Sequence, residues 1–171
     1  LNPSMLNSFE KHTGPIDMDA VLDYQGRFAD LHTIMAWNNK DIIVYGNHLF
    51  DHWNASALSI EEFEEQYKRN EIALSQLRNS VNLFSFTNGQ PGACFSCREI
   101  SLLQELGAGR IFSSAGCLNG DPNNYLLDRI SLGGHDMDAY NIWFKIGFGL
   151  VRKHFREHLG KIYHEISHAM C

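Results

Sequence analysis

Hydrophobic positions along the chain follow two alternating rhythms. Residues 41–45 (DIIVY) form a short β-branched run, and 81–86 (VNLFSF), 110–113 (RIFS) and 126–130 (LLDRI) are similar; each has the length and composition of a buried strand. Between them the period changes. Ser59-x-x-Glu62 has the form of a capping box, and Phe63, Tyr67, Leu74 and Leu77 then make an apolar stripe at helical spacing. Glu64/Lys68 and Glu65/Arg69 add i, i+4 pairs on the opposite face, so this helix is expected to run to about Arg78. Further helices are expected over 28–37, over 97–106 up to Gly107, and over most of 136–170, the last weakened by Gly147, Gly149 and Gly160. Residues 1–22, broken by Pro3, Gly14 and Pro15, read as irregular and then weakly helical. Strands alternating with helices predict an α/β fold of βαβ units with a largely parallel sheet.

Composition narrows the class. With 171 residues, 44% hydrophobic and 20% charged, the chain suits a single domain over 1–171 with a real core. A net charge of -6 argues against a general nucleic-acid surface. No apolar run approaches the roughly 18 residues of a membrane span. No basic start with an apolar core marks a signal peptide, so the expected location is cytoplasmic or exported with the signal removed. The cysteines are Cys94, Cys97, Cys117 and Cys171. Cys94-x-x-Cys97 has redox or zinc-knuckle spacing without a second pair, so ordinary thiols are the leading expectation and a disulfide or metal role the alternative.

Candidate chemistry centres on Gly46-Asn47-His48-Leu49-Phe50-Asp51-His52, which leaves the first expected strand in a Gly-Asn turn. If the segment after the turn is helical, both imidazoles project from one face and converge as two ligands of a metal. The same spacing recurs at His154/His158 and His164/His168, but only His48/His52 follows a strand, where open α/β folds place their sites. Asp51 would point away from the pair and support the loop.

The order of strand, G-N-H-x-x-x-H, S-x-E-E helix, strand and F-x-F-x-N-G resembles the polysaccharide deacetylases, the NodB-homology domain of carbohydrate esterase family 4. GRIFSSAGCLNGDPNNYLLDRISL is similar to that family's segment after its third motif, and the likeness covers roughly 36–150. The resemblance implies an incomplete, distorted (β/α) barrel that hydrolyses N-acetyl groups on an amino-sugar polymer. It implies a divalent metal, zinc above all, held by His48, His52 and an aspartate, with a second aspartate as general base and Asn88 and Gly89 as substrate contacts. The family's T-F-D-D-G motif, which carries both aspartates, is absent; Asp17, Asp19 and Asp23 are the remote candidates. Thr87 and the lack of a late leucine–histidine motif are further departures. The chain alone is therefore expected to be a poor or inactive deacetylase. The alternative is a catalytically degenerate, glycan-binding relative.

His164-Glu165-Ile166-Ser167-His168 is a literal H-E-x-x-H, which raises a zinc metalloprotease. A zincin takes its third ligand downstream, so no complete metal site is expected there, and an amphipathic helix with Ile162 and Ile166 inward is the plainer reading. Trp53, Phe84, Phe86 and Trp143 are candidates for a sugar groove and, more commonly for such residues, for the core. An incomplete barrel leaves strand edges and apolar faces that invite a partner or a homo-oligomer.

Overall fold

The computed structural model describes residues 29–38, 43–132 and 138–167, with isolated positions before them and with side chains of the last helix described through Phe155. The elements among the described residues are α1 (Leu31–Trp37), β1 (Tyr45–Asn47), a 3-10 turn (Ala55–Ala57), α2 (Ile60–Leu74), β2 (Ser80–Ser85), α3 (Cys97–Glu105), β3 (Arg110–Ser113), β4 (Leu126–Asp128) and α4 (Ala139–Ser167). The strands form one open sheet in the order β1-β2-β3-β4, and every pairing is parallel. Among the described residues the fold is thus α/β with a parallel sheet that does not close.

The helices form where their ends are satisfied. Ser59 caps α2: its hydroxyl accepts from the Glu62 N–H, and the Glu62 carboxylate accepts from the Ser59 N–H. Ser96 and Glu99 repeat this box at α3, a signal (Ser-x-x-Glu) also present in the sequence. Glu99 is 1% exposed. Burial alone would raise its pKa, but the Ser96 and Arg98 donors outweigh burial and hold the carboxyl below its ordinary value. The Lys68–Glu64 pair forms at 2.5 Å and Arg69–Glu65 at 3.9 Å, on the exposed side of α2 as expected.

One face of the sheet carries the core. Phe84, Phe86 and Ile111 of the β2–β3 region meet Phe63 and Tyr67 of α2 and Leu103 of α3, all buried. Phe86 stacks on Phe95 with ring centroids 3.8 Å apart. Phe84 and Phe86 are therefore core, and Trp53 is half-buried against them. Trp143 lies 70% exposed on α4. Tyr67, desolvated by this packing and facing Glu71, has its phenol pushed up to about 12.

Several boundaries shift from expectation. β1 begins at Tyr45 and takes in Gly46 and Asn47, and its register on β2 is irregular between Tyr45 and Asn47. α2 ends at Leu74, with Leu77 beyond it in the turn that leads to β2. The glycines expected to weaken the last helix do not stop it. Gly149 is where α4 meets the loop after β3: a Cβ there would lie 3.2 Å from the Gly116 carbonyl oxygen.

Candidate functional site

His48 and His52 come together, but not on a helix. The segment from His48 to His52 is a loop in which Leu49 (φ 60°) and His52 (φ 57°) adopt left-handed backbone. Such values are uncommon outside glycine, and neighbouring contacts fix them here. Asn47, 1% exposed, is the anchor. Its amide nitrogen donates to the Tyr67 carbonyl at 3.0 Å and to Glu71 Oε1 at 2.9 Å. Its amide oxygen accepts from the Leu49 N–H at 3.1 Å and from Asn70 Nδ2 at 3.0 Å. Asp51 ties the other end of the loop to α2. Its N–H donates to Gln66 Oε1, and its carboxylate accepts from Gln66 Nε2, both at 2.8 Å, and from Arg69 at 3.3 Å. Asp51 supports the loop, as the sequence suggested.

The imidazole rings are edge to face with centroids 4.9 Å apart. Two imidazoles whose nitrogens sit at 2.0–2.1 Å from a shared tetrahedral zinc have centroids roughly 5 Å apart, so the spacing fits a common ion. His48 Nδ1 lies 2.6 Å from the Ser85 carbonyl oxygen. A carbonyl can only accept, so Nδ1 carries the proton and Nε2 presents the lone pair. Burial pushes the His48 pKa below its ordinary value; the Ser85 carbonyl opposes this, and the charges of His52 and Arg129 reinforce it. The ring is held in the neutral form that a metal requires.

His48 opens onto a cleft of about 310 Å³ on the sheet face opposite the core, lined also by Val44, Leu83, Ser85, Phe112 and Arg129. Arg129, immediately after β4, was not singled out from the sequence. Its Nε donates to the Ser113 carbonyl and its Nη2 to the Phe86 carbonyl, both at 3.0 Å, which fixes a guanidinium beside the imidazoles. The available signal was its place at the carboxyl end of a parallel strand. Ser85 Oγ is buried with no hydrogen-bond partner among the described residues. Buried hydroxyls are seldom left so, and this one sits next to the cleft.

The other candidates are placed as follows. Gly89 is buried, and its carbonyl accepts from the Ser114 N–H at 2.7 Å; Asn88 beside it is exposed. Thr87 Oγ1 donates to the Trp53 carbonyl at 2.5 Å, which ties the loop after β2 to the loop after β1. Asp17, Asp19 and Asp23 are exposed, and among the described residues no three His, Cys, Asp or Glu side chains gather as a metal site. The buried carboxylate of Asp128 accepts from Ser113 Oγ. Cys97 is disulfide-bonded, whereas Cys94 is a free thiol, so Cys94 and Cys97 are not joined to each other. The side chains of His158, His164, Glu165 and His168 lie outside the described residues. Among the described residues no helix is long and apolar enough to cross a membrane. No protein-family model, curated protein or solved structure matches the chain.

Proposed function

We propose that this is a polysaccharide-deacetylase-like domain, an incomplete (β/α) barrel in which His48 and His52 hold a zinc-like ion for removal of N-acetyl groups from an amino-sugar glycan. One observation carries the reading: two imidazoles meet at the carboxyl end of a parallel strand, 4.9 Å between centroids, with His48 Nδ1 bound to a main-chain carbonyl. Zinc at such a site lowers the pKa of a bound water and polarises an amide carbonyl. His48 and His52 supply neutral nitrogen ligands, and the Ser85 carbonyl sets the His48 tautomer. The Arg129 guanidinium, fixed at the rim, stabilises negative charge that develops on a substrate oxygen in the cleft. Ser85 Oγ offers a hydroxyl to a sugar or a water.

A second reading is a glycan-binding domain of the same type without turnover. It is favoured by the lack of a carboxylate ligand or base next to the imidazoles among the described residues. A catalytic zinc usually has three protein ligands, and loss of a general base costs about 10²–10⁴-fold in rate. The two readings separate on acetate release from an N-acetylglucosamine oligomer with added zinc, measured for the native chain and His48→Ala. Release that disappears in the variant supports the enzyme. Zinc-dependent binding of the oligomer without release supports the binding domain. Neither binding nor release contradicts both.

A further inference from the structure

A parallel sheet is ordinarily covered on both faces, and here α2 and α3 cover one. The other face lines the cleft beside His48 and follows the alternation of the strands. Val81, Leu83 and Ser85 share it on β2, Val44 lies on it just before β1, and Arg129 just after β4. Its chemistry changes along the strand direction. Toward the amino ends it is apolar: Val44 is 60% exposed, and Val81 and Leu83 are half-buried. Phe112, in register with Ser85, continues the apolar floor. At the carboxyl ends it is polar, with His48, Ser85 and Arg129. From Val81 to Ser85 the cleft runs about 13 Å along β2.

The polar end carries an uncompensated charge. Arg129 is half-buried, and burial lowers its pKa from the ordinary value. Its Nε and Nη2 go to the Ser113 and Phe86 carbonyls, and Nη1 has no hydrogen-bond partner among the described residues. No carboxylate pairs with the guanidinium there, and no Asp or Glu lines the cleft. Carbonyls satisfy its N–H groups without neutralising its charge. A desolvated cation is normally matched by an anion, and a guanidinium fork suits a carboxylate. The buried, unpartnered Ser85 hydroxyl adds a donor on the same rim. A sugar ring would find few partners for its hydroxyls along Val44, Val81 and Leu83, whereas an aliphatic chain fits them. We propose that this cleft binds aliphatic carboxylates, the carboxylate on Arg129 and the chain along Leu83 and Val81. In the hydrolysis proposed above such a carboxylate is the acyl product, so the cleft admits N-acyl groups longer than acetyl. That assignment alone rests on the deacetylase reading.

The test is calorimetric titration of the full chain with acetate, hexanoate and hexanamide, in EDTA so that no metal takes part. Each methylene that is buried strengthens binding up to about fourfold. Hexanoate is therefore expected to bind roughly tenfold or more tighter than acetate. It should also bind roughly tenfold tighter than hexanamide, which keeps the chain but not the charge. Arg129→Gln should lose this preference for carboxylate over amide. Because Arg129 also holds main-chain carbonyls, a second variant guards against misfolding. Val44→Asp, at an exposed position, should weaken hexanoate about threefold or more by setting a carboxylate beside the chain. No binding of hexanoate overturns the proposal. Equal binding of acetate and hexanoate, equal binding of hexanoate and hexanamide, or binding that both variants leave unchanged also overturns it. Zinc uptake by His48 and His52 is measured separately. Zinc uptake without hexanoate binding defeats this inference alone, and hexanoate binding without zinc uptake defeats the metal reading alone.

Discussion

The Nδ1 atom of His48 lies 2.6 Å from the main-chain oxygen of Ser85, one strand away on β2. This bond joins the loop after β1 to its neighbour strand and fixes which imidazole nitrogen faces the cleft. Burial of the ring, which this bond opposes, sets the order in which protons are taken up. Burial, with His52 and Arg129, depresses the His48 pKa below 6.5 despite the carbonyl. Above that value the ring is neutral in both folded and unfolded chains, and there is no linkage. As pH falls below about 6.5 the unfolded chain takes up the proton first, so stability declines with acidity. Histidine Cε1–H resonances followed by NMR should therefore place the His48 midpoint below 6.5, and a midpoint above it would contradict the description.

Asn47 should matter more for stability than its surface-loop setting in the sequence suggests. Asn47→Ala removes a buried amide and leaves the Leu49 N–H and the Tyr67 carbonyl without their partner. The expected loss is about 3 kcal/mol by denaturant unfolding. Asn47→Asp restores the shape but sets a carboxylate against Glu71, so it should be no better than alanine near neutral pH. A loss under about 0.5 kcal/mol, ordinary for a surface position, would show that the amide does not anchor the loop.

The left-handed backbone at His52 gives a test of the loop itself. His52→Ala and His52→Gly both remove the imidazole, but only glycine adopts a φ of 57° without strain. The glycine variant should be the more stable by about 1 kcal/mol, in spite of its greater freedom when unfolded. The reverse order would mean that the segment is helical after all.

Gly89 is a close-approach position. A Cβ there would stand 2.5 Å from the Ser114 nitrogen, which is backbone and cannot swing aside. Gly89→Ala should cost about 3 kcal/mol and displace the loop after β2 from the end of β3. Unchanged thermal unfolding would contradict the packing of these two loops.

Much of the scaffold was legible because its signals are local. The β-branched and aromatic runs became β2, β3 and β4, and the Ser59/Glu62 box began α2 where its chemistry requires. The site was legible only as a pair of residues. Spacing brought His48 and His52 forward for a helical reason, yet they meet through a loop with left-handed backbone at Leu49 and His52, in which Asn47 and Asp51 are tied to Asn70 and Gln66 of the distant α2. Arg129 and the orphaned Ser85 hydroxyl carry no local motif; they matter because parallel pairing brings the ends of β2, β3 and β4 to the same rim as His48. The seat of α4 on the loop after β3 was equally hidden, because Gly149 reads as a weakness in a helix until Gly116 is seen against it.

The most direct test of the imidazole pair is a zinc titration by calorimetry on the native chain, His48→Ala and His52→Ala. The account predicts a single site in the native chain that is lost in each variant, with uptake weakening as pH falls and the imidazoles protonate. Zinc uptake that survives both substitutions unchanged, or no uptake by the native chain at neutral pH, would contradict it.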